Sequence, residues 1–237
     1  ELFSLPIEVL RYNALQELNM ARNQLNRLPY HLIYMTTIRS LILSHNPIFH
    51  IHQEYMAMLA QSLIGLQELN LNFTKLKVLP KAITKFPSLR ILRVRNNNIS
   101  ELPASIERLV NLEVLDARCN KINVLPKGFS KLKNLRVLGL GTNCLSAFPD
   151  DFFQMNSLEV LDLSKNEFTQ IPDKIGELSG LVKLLMGNQH LDYVSPKLGD
   201  LSNLEILSLE ECHLSEVPAE IGRLHNIKYV YHSHFNF

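Results

Sequence analysis

The chain has 237 residues, 46% of them hydrophobic and 20% charged, with a formal net charge of +1. This balance excludes a disordered chain, and it lacks the basic footprint of a nucleic-acid binder. No apolar run approaches the roughly 20 residues that a membrane helix needs, and no secretory leader is read at the start. Three cysteines, Cys119, Cys144 and Cys212, are widely spaced and odd in number. They suit neither a disulfide framework nor a CxxC metal site, so a reducing, cytoplasmic compartment is the expectation.

From the N-terminus, Leu2-Phe-Ser-Leu5-Pro6 aligns with Leu25-Asn-Arg-Leu28-Pro29, so the chain opens inside a repeating unit. The first leucine of each later unit falls at Leu15, Ile38, Leu66, Leu89, Leu112, Leu135, Leu158, Leu181, Leu204 and Ile227. The spacing is 23 residues throughout, except for 28 between Ile38 and Leu66. A strict period of this length predicts a repeat architecture, here a single solenoid domain over 1–237 with about ten repeats and one extended repeat around 47–65. Ile227 starts the tenth unit, and Phe235 stands where its asparagine would fall. No polar cap is visible at either end, which leads to the expectation that the chain is a piece of a longer protein.

Each unit has two halves. The first, as in Leu158-Glu-Val-Leu161-Asp-Leu163, alternates apolar and polar residues and predicts a short strand. An asparagine follows at 23, 46, 97, 120, 143 and 166, with Thr74, Gln189 and Cys212 in the same slot of other units. Its amide can satisfy backbone groups where the chain turns away from the strand. The second half begins with Leu-Pro and continues with apolar residues three apart, as in Pro103, Ile106, Leu109 and Leu112. Proline suits a first helical turn, and the spacing predicts a short 3₁₀ or α segment. No single coil buries its own leucines, so the coils must stack, with a parallel sheet on the concave face whose strands lie about 4.8 Å apart.

These motifs resemble leucine-rich repeat proteins along essentially the whole chain. The LPxxIxxLxxLxxLxLxxNxI form resembles the intracellular subclass found in Ras-signalling scaffolds and the Erbin–Densin group. The resemblance implies an α/β fold, a right-handed horseshoe-shaped solenoid with about ten parallel strands on its concave face and short 3₁₀ or α segments on its convex face. It also implies a scaffold in cytoplasmic signalling that binds another protein, with no catalysis and no cofactor of its own. The alternative is a recognition or regulatory module of a larger multidomain enzyme.

Departures from the pattern locate what is particular to this chain. In the long unit His52 replaces the proline, and Tyr55, Met58, Leu59 and Leu63 keep helical spacing, so the five extra residues are expected to lengthen the convex helix. In the eighth unit Pro196 arrives one residue late. Enzyme motifs (HExxH, GxSxG, a P-loop) are absent. His50/His52 and His232/His234 have a spacing that could serve a metal, but no Cys or carboxylate ligand accompanies them, and no metal site is expected.

Strand alternation points the paired leucines inward and the residues between and after them outward. Neighbours in these outward columns should be neighbours in space, which groups Arg93, Arg95 and Arg118 beside Asp116. Guanidiniums crowded on adjacent strands need acids; a partner's acidic side chain or phosphate could supply them bidentately, as could internal Arg–Asp pairs. Gly139 and Gly141 on the next strand remove side chains from the floor and could open a slot for a partner, and Asp162 and Lys165 lie beyond them. Phe73, Ile42 and Leu185 are apolar on an otherwise polar face, and Glu210 and Glu211 make its far end acidic. The expected partner-binding set is Arg93, Arg95, Asp116, Arg118, Gly139, Gly141, Asp162 and Lys165, for an acidic or phosphorylated protein surface.

Overall fold

The computed structural model describes residues 2–187 and 190–232. Gln189, His234 and Phe235 lie outside the described residues. Ten of the strands form one parallel sheet: β1 (Glu17–Asn19), β2 (Ser40–Ile42), β3 (Glu68–Asn70), β4 (Ile91–Arg93), β5 (Val114–Asp116), β6 (Val137–Gly139), β7 (Val160–Asp162), β9 (Lys183–Leu185), β11 (Ile206–Leu209) and β12 (Tyr229–His232). They follow one another in chain order. Two short strands, β8 (Gln170–Ile171) and β10 (Tyr193–Val194), pair on a separate flank.

The register equals the sequence period. Arg93 pairs with Asp116, Asp116 with Gly139 and Gly139 with Asp162. The 28-residue unit is absorbed without a slip, since Leu41 still faces Leu69. A slip of one residue would turn each leucine to the wrong face, so burial fixes the pairing. The anchors from Ile38 to Leu204 are completely buried, and a single apolar core runs through all the coils.

The asparagines act as expected of buried amides at a turn. Asn143 donates to the carbonyls of Ala117 in the preceding coil (3.1 Å) and Leu140 in its own (2.8 Å), and its oxygen accepts from Ile122 N–H (2.9 Å). Asn46, Asn97, Asn120 and Asn166 repeat this pattern. Thr74 joins the chain of bonds through Oγ1, 2.8 Å from the Leu71 carbonyl and 3.0 Å from Asn97 Oδ1. Cys212 Sγ lies 3.9 Å from the Met186 carbonyl, a much weaker contact.

The residue before each ladder position adopts a left-handed conformation at Arg22, His45, Phe73, Asn96, Cys119, Thr142, Lys165 and Glu211. The sequence columns treated these as ordinary outward strand positions. They are instead the corner that turns the chain off the sheet, held because the amide ladder fixes both sides of it.

Among the described residues, the convex side is built from 3₁₀ helices, with one exception. The extended unit makes the α-helix α1 (Gln53–Ser62), as its spacing suggested. Its inward face differs from the expectation: Met56, Leu59, Ala60 and Leu63 are buried, while Met58 is 43% exposed. An α-helix advances 100° per residue, so Met56 and Ala60 share the face of Leu59 and Leu63. The late proline is also resolved. Ser195 takes the place of the missing proline and caps the following 3₁₀ turn, accepting from Lys197 N–H at 3.0 Å and donating to Asp173 Oδ1 at 2.5 Å. A cluster of phenylalanines, Phe148 against Phe152, Phe153 and Phe168, packs inside the convex turns of the middle coils.

Candidate interaction surface

The ends of β3 to β7 carry the charged groups singled out above. Because the strands are only three residues long and in register, Asn70, Arg93, Asp116, Gly139 and Asp162 form one row across the concave sheet. Two residues further on, Asn72, Arg95, Arg118, Gly141 and Ser164 form a second row.

The three arginines are not equivalent. Arg93 forms an ion pair with Glu68 on the neighbouring strand. Arg118 grips Asp116 with two hydrogen bonds, Nε to Oδ1 and Nη2 to Oδ2, both 2.8 Å, and its Nη1 lies 3.8 Å from Asp162 Oδ2. The hydrogen bonds that Arg118 donates to Asp116 hold its guanidinium above its ordinary pKa against the opposing effect of burial. Arg95 has no ion pair among the described residues. Its Nε is buried and without a hydrogen-bond partner, while its backbone is held: the N–H donates to Asn72 Oδ1 at 2.7 Å and the carbonyl accepts from Phe73 N–H at 2.9 Å.

The glycines serve this arrangement, which corrects the expectation of an open slot. Arg118 has to cross β6 to reach from Asp116 to Asp162. A Cβ on Gly139 would stand 3.2 Å from both Cγ and Nε of Arg118. A Cβ on Gly141 would stand 2.6 Å from Asp162 Oδ1 and 2.8 Å from Ser164 Oγ. The space above β6 is therefore filled from within, and Asp116 and Asp162 are each only 8% exposed beneath the arginine. Lys165 turns away from this group and pairs with Glu211 at 3.3 Å.

Of the apolar residues on this face, Ile42 and Leu185 are half-buried. Phe73 is 37% exposed and stacks on His45 with ring centroids 4.2 Å apart. It is also one of the left-handed corners, an unfavourable conformation for so bulky a residue. The sequence signalled Phe73 only as an apolar residue on a polar column; the His45 stack across the long repeat could not be read from spacing. Among the described residues no group of three or more His, Cys, Asp or Glu could hold a metal ion, and no helix is long and apolar enough to cross a membrane.

Residues 50–140 and 127–230 match the family described as the leucine-rich repeat region. A stretch of 100 residues is 34% identical to the probable inactive serine/threonine-protein kinase roco10 of Dictyostelium discoideum, covering 42% of this chain and 4% of that protein. The chain thus spans a small fraction of that relative's length. Among solved structures, it superposes on a leucine-rich repeat protein of Leptospira interrogans with a TM-score of 0.71 at 27% identity, covering 98% of this chain and 70% of the other. The plant peptide hormone receptor RGFR1, solved in complex with RGF2, gives 0.78 at 26% identity, covering 97% of this chain and 38% of the receptor. With its ten-stranded parallel sheet, its amide ladder and a family match over most of its length, the chain belongs to the leucine-rich repeat region family.

Proposed function

We propose that the chain is a protein-interaction module whose concave face receives an acidic or phosphorylated segment of a partner protein, centred on Arg95. The observation that carries this reading is the asymmetry of the three arginines: two are closed by internal carboxylates, while Arg95 keeps a buried, unbonded Nε. A buried donor without a partner is costly, and a guanidinium is suited to bidentate capture of a carboxylate or phosphate. Arg93, Asp116, Arg118 and Asp162 set the shape and charge around it, Gly139 and Gly141 make room for that network, and Lys165 belongs to the outer edge. Phe73 on His45 offers an apolar contact on the same side of the solenoid. The 23-residue period fits the intracellular signalling subclass, and a cytoplasmic scaffold is the role it suggests.

Affinity capture followed by mass spectrometry tests this, with Arg95→Glu compared against the unmodified chain. Partners held by the intact chain and lost by the variant, with binding that weakens as salt rises, are the expected result. The same partners on both chains would refute the site.

A second reading is favoured by the match to a much longer kinase-named relative: the chain is the recognition region of a larger multidomain enzyme. The complete coding sequence decides it. An adjoining catalytic domain whose activity changes when the repeats are removed would support it.

A further inference from the structure

We infer that the flank carrying the Leu-Pro turns, next to α1, is a second docking surface, for an extended peptide segment with apolar side chains and an acidic residue at one end. It is separate from the concave face and does not depend on the reading above.

The row of residues that precedes the apolar residue opening each turn, Leu in most units, Ile51 and Phe148 in two, runs Arg27, His50, Val78, Glu101, Val124 and Ala147. These positions face solvent, yet Val78 is 58% and Val124 59% exposed. Between them lies a trough of about 600 Å³ that runs from His50 and Ile51 across Pro80 and Pro103 to Pro126. A pocket of about 370 Å³ adjoins it, between Leu28 and Tyr30 on one side and His52 and Tyr55 on the other. Both are lined by His50 and Ile51, so they form one continuous groove.

The inserted residues create this groove. His52 stands where the other units except the eighth have proline, and α1 replaces a short 3₁₀ turn. The new wall is fixed in place: Tyr55 donates its hydroxyl to the Pro29 carbonyl at 2.5 Å, and its ring stacks on Tyr30 with centroids 6.3 Å apart. Burial, then the neighbouring Tyr30, pushes the Tyr55 phenol well above its usual range, so it stays a neutral donor. A preformed wall reduces the ordering that binding would otherwise demand.

Three features choose the occupant. The groove crosses five successive turns, four steps of about 4.8 Å each, or roughly 20 Å, which matches about six residues of extended chain. Strand pairing along this part of the row is limited, among the described residues, to the bridge between Glu101 and Val124, so the turns are not closed into a continuous ladder. Charge is uneven: Arg27 and Lys81 line the groove without an ion pair among the described residues, and His50 and His52 line it with Arg27, against one lining acid, Glu101. An acidic residue therefore belongs at the Arg27 end, and apolar side chains over Val78 and Val124.

The test is selection of a displayed library of random peptides of about a dozen residues on the whole chain, followed by affinity measurements on Val124→Glu, Arg27→Glu and Arg95→Glu. Val124 and Arg27 are exposed, so circular dichroism should find both variants folded. Selected peptides should share an acidic residue and apolar residues, and should weaken about tenfold or more on Val124→Glu and on Arg27→Glu but not on Arg95→Glu. The inference is overturned if no peptide is enriched, if the peptides respond only to Arg95→Glu, or if they tolerate both groove variants. Concentration-dependent self-association abolished by Val124→Glu would assign the groove to a second copy and overturn it as well. Loss of the concave partners on Arg95→Glu is read independently, so either site can fail alone.

Discussion

The asparagine ladder and the arginine cluster are both polar systems that run across the strands in the same register, and they are finished differently. In the ladder, each amide donates to carbonyls of its own coil and the preceding one and accepts a backbone N–H, and the side chains at 46, 97, 143 and 166 are buried. In the cluster, Arg118 is closed over two aspartates and Arg93 over Glu68, but Arg95 keeps an unbonded nitrogen. Polar groups that must stay buried whatever the partner are satisfied inside the chain. A polar group left unsatisfied on a face open to solvent is where an external acid gains most. Breaking each system in turn should therefore give opposite signatures: loss of stability for the ladder, and loss of binding at unchanged stability for Arg95.

The largest effect is expected from Asn143→Ala. It would leave the N–H of Ile122 without its acceptor in the interior, and the carbonyls of Ala117 and Leu140 would each lose one of two amide donors, keeping those of Asn120 and Asn166. At about 1–3 kcal/mol for the orphaned N–H, with a smaller loss at each carbonyl, a total of about 2–3 kcal/mol is expected. Urea titration followed by circular dichroism should show the loss. A variant as stable as the parent would mean that the ladder is decorative.

Gly141→Ala comes next. Its new methyl would meet Asp162 Oδ1 at 2.6 Å and Ser164 Oγ at 2.8 Å, so the 2.6 Å bond between those two side chains must open. The atoms in the way are side-chain ends that can shift, which limits the cost to about 1–2 kcal/mol. Gly139→Ala meets nothing closer than 3.2 Å and should cost less. If the order is reversed in thermal melts, the glycines are not there to seat Arg118 and Asp162.

Asp151→Asn probes the convex side. Burial alone would raise the Asp151 pKa, but the Ser130 hydroxyl at 2.7 Å and the N–H groups of Ser130 and Gly128 outweigh it and hold the carboxyl below its ordinary 3.8. A depressed carboxylate contributes stability that is fully present above the unfolded value and is lost as pH falls through the folded one. The group is half-exposed, so about 0.5–1 kcal/mol is expected at neutral pH. The difference between parent and variant should shrink below about pH 4, and a difference constant with pH would exclude the carboxylate charge as its source.

The solenoid and the ladder were legible because both depend on one short period: leucines that cannot be buried alone, and amides that recur with them. The position of the patch was legible for the same reason, since residues one period apart become neighbours across the sheet. The pairings were not. Glu68 lies off the outward columns yet captures Arg93, because a long guanidinium reaches diagonally across strands. The fate of the glycine floor was hidden in the same way, since whether a gap is filled depends on the rotamer of Arg118 on another strand. The inward face of α1 was misjudged at Met58 because five inserted residues set a new helical phase that the 23-residue period does not fix. The left-handed corners carry Arg, His, Phe, Cys and Thr rather than glycine, so composition gave no sign of them.

The smallest expected stability change is the sharpest test of the comparison. Arg95→Ala removes a guanidinium with no ion pair among the described residues and a buried Nε with no acceptor. The Asn72 side-chain oxygen accepts from the Arg95 backbone N–H, so truncation leaves that bond in place. Relief of the unsatisfied nitrogen and loss of aliphatic packing act in opposite directions, and the melting midpoint should change by the equivalent of about 0.5 kcal/mol or less. Arg118→Ala is the counterpart: it would strip Asp116 and Asp162 of their cation while both remain nearly buried, and should destabilise measurably more. If Arg95→Ala instead destabilises as much as Arg118→Ala, Arg95 has a structural role in the chain itself and is not a cation held for a partner. If it leaves stability unchanged and abolishes capture of the partner, the unsatisfied nitrogen is where the concave face meets its ligand.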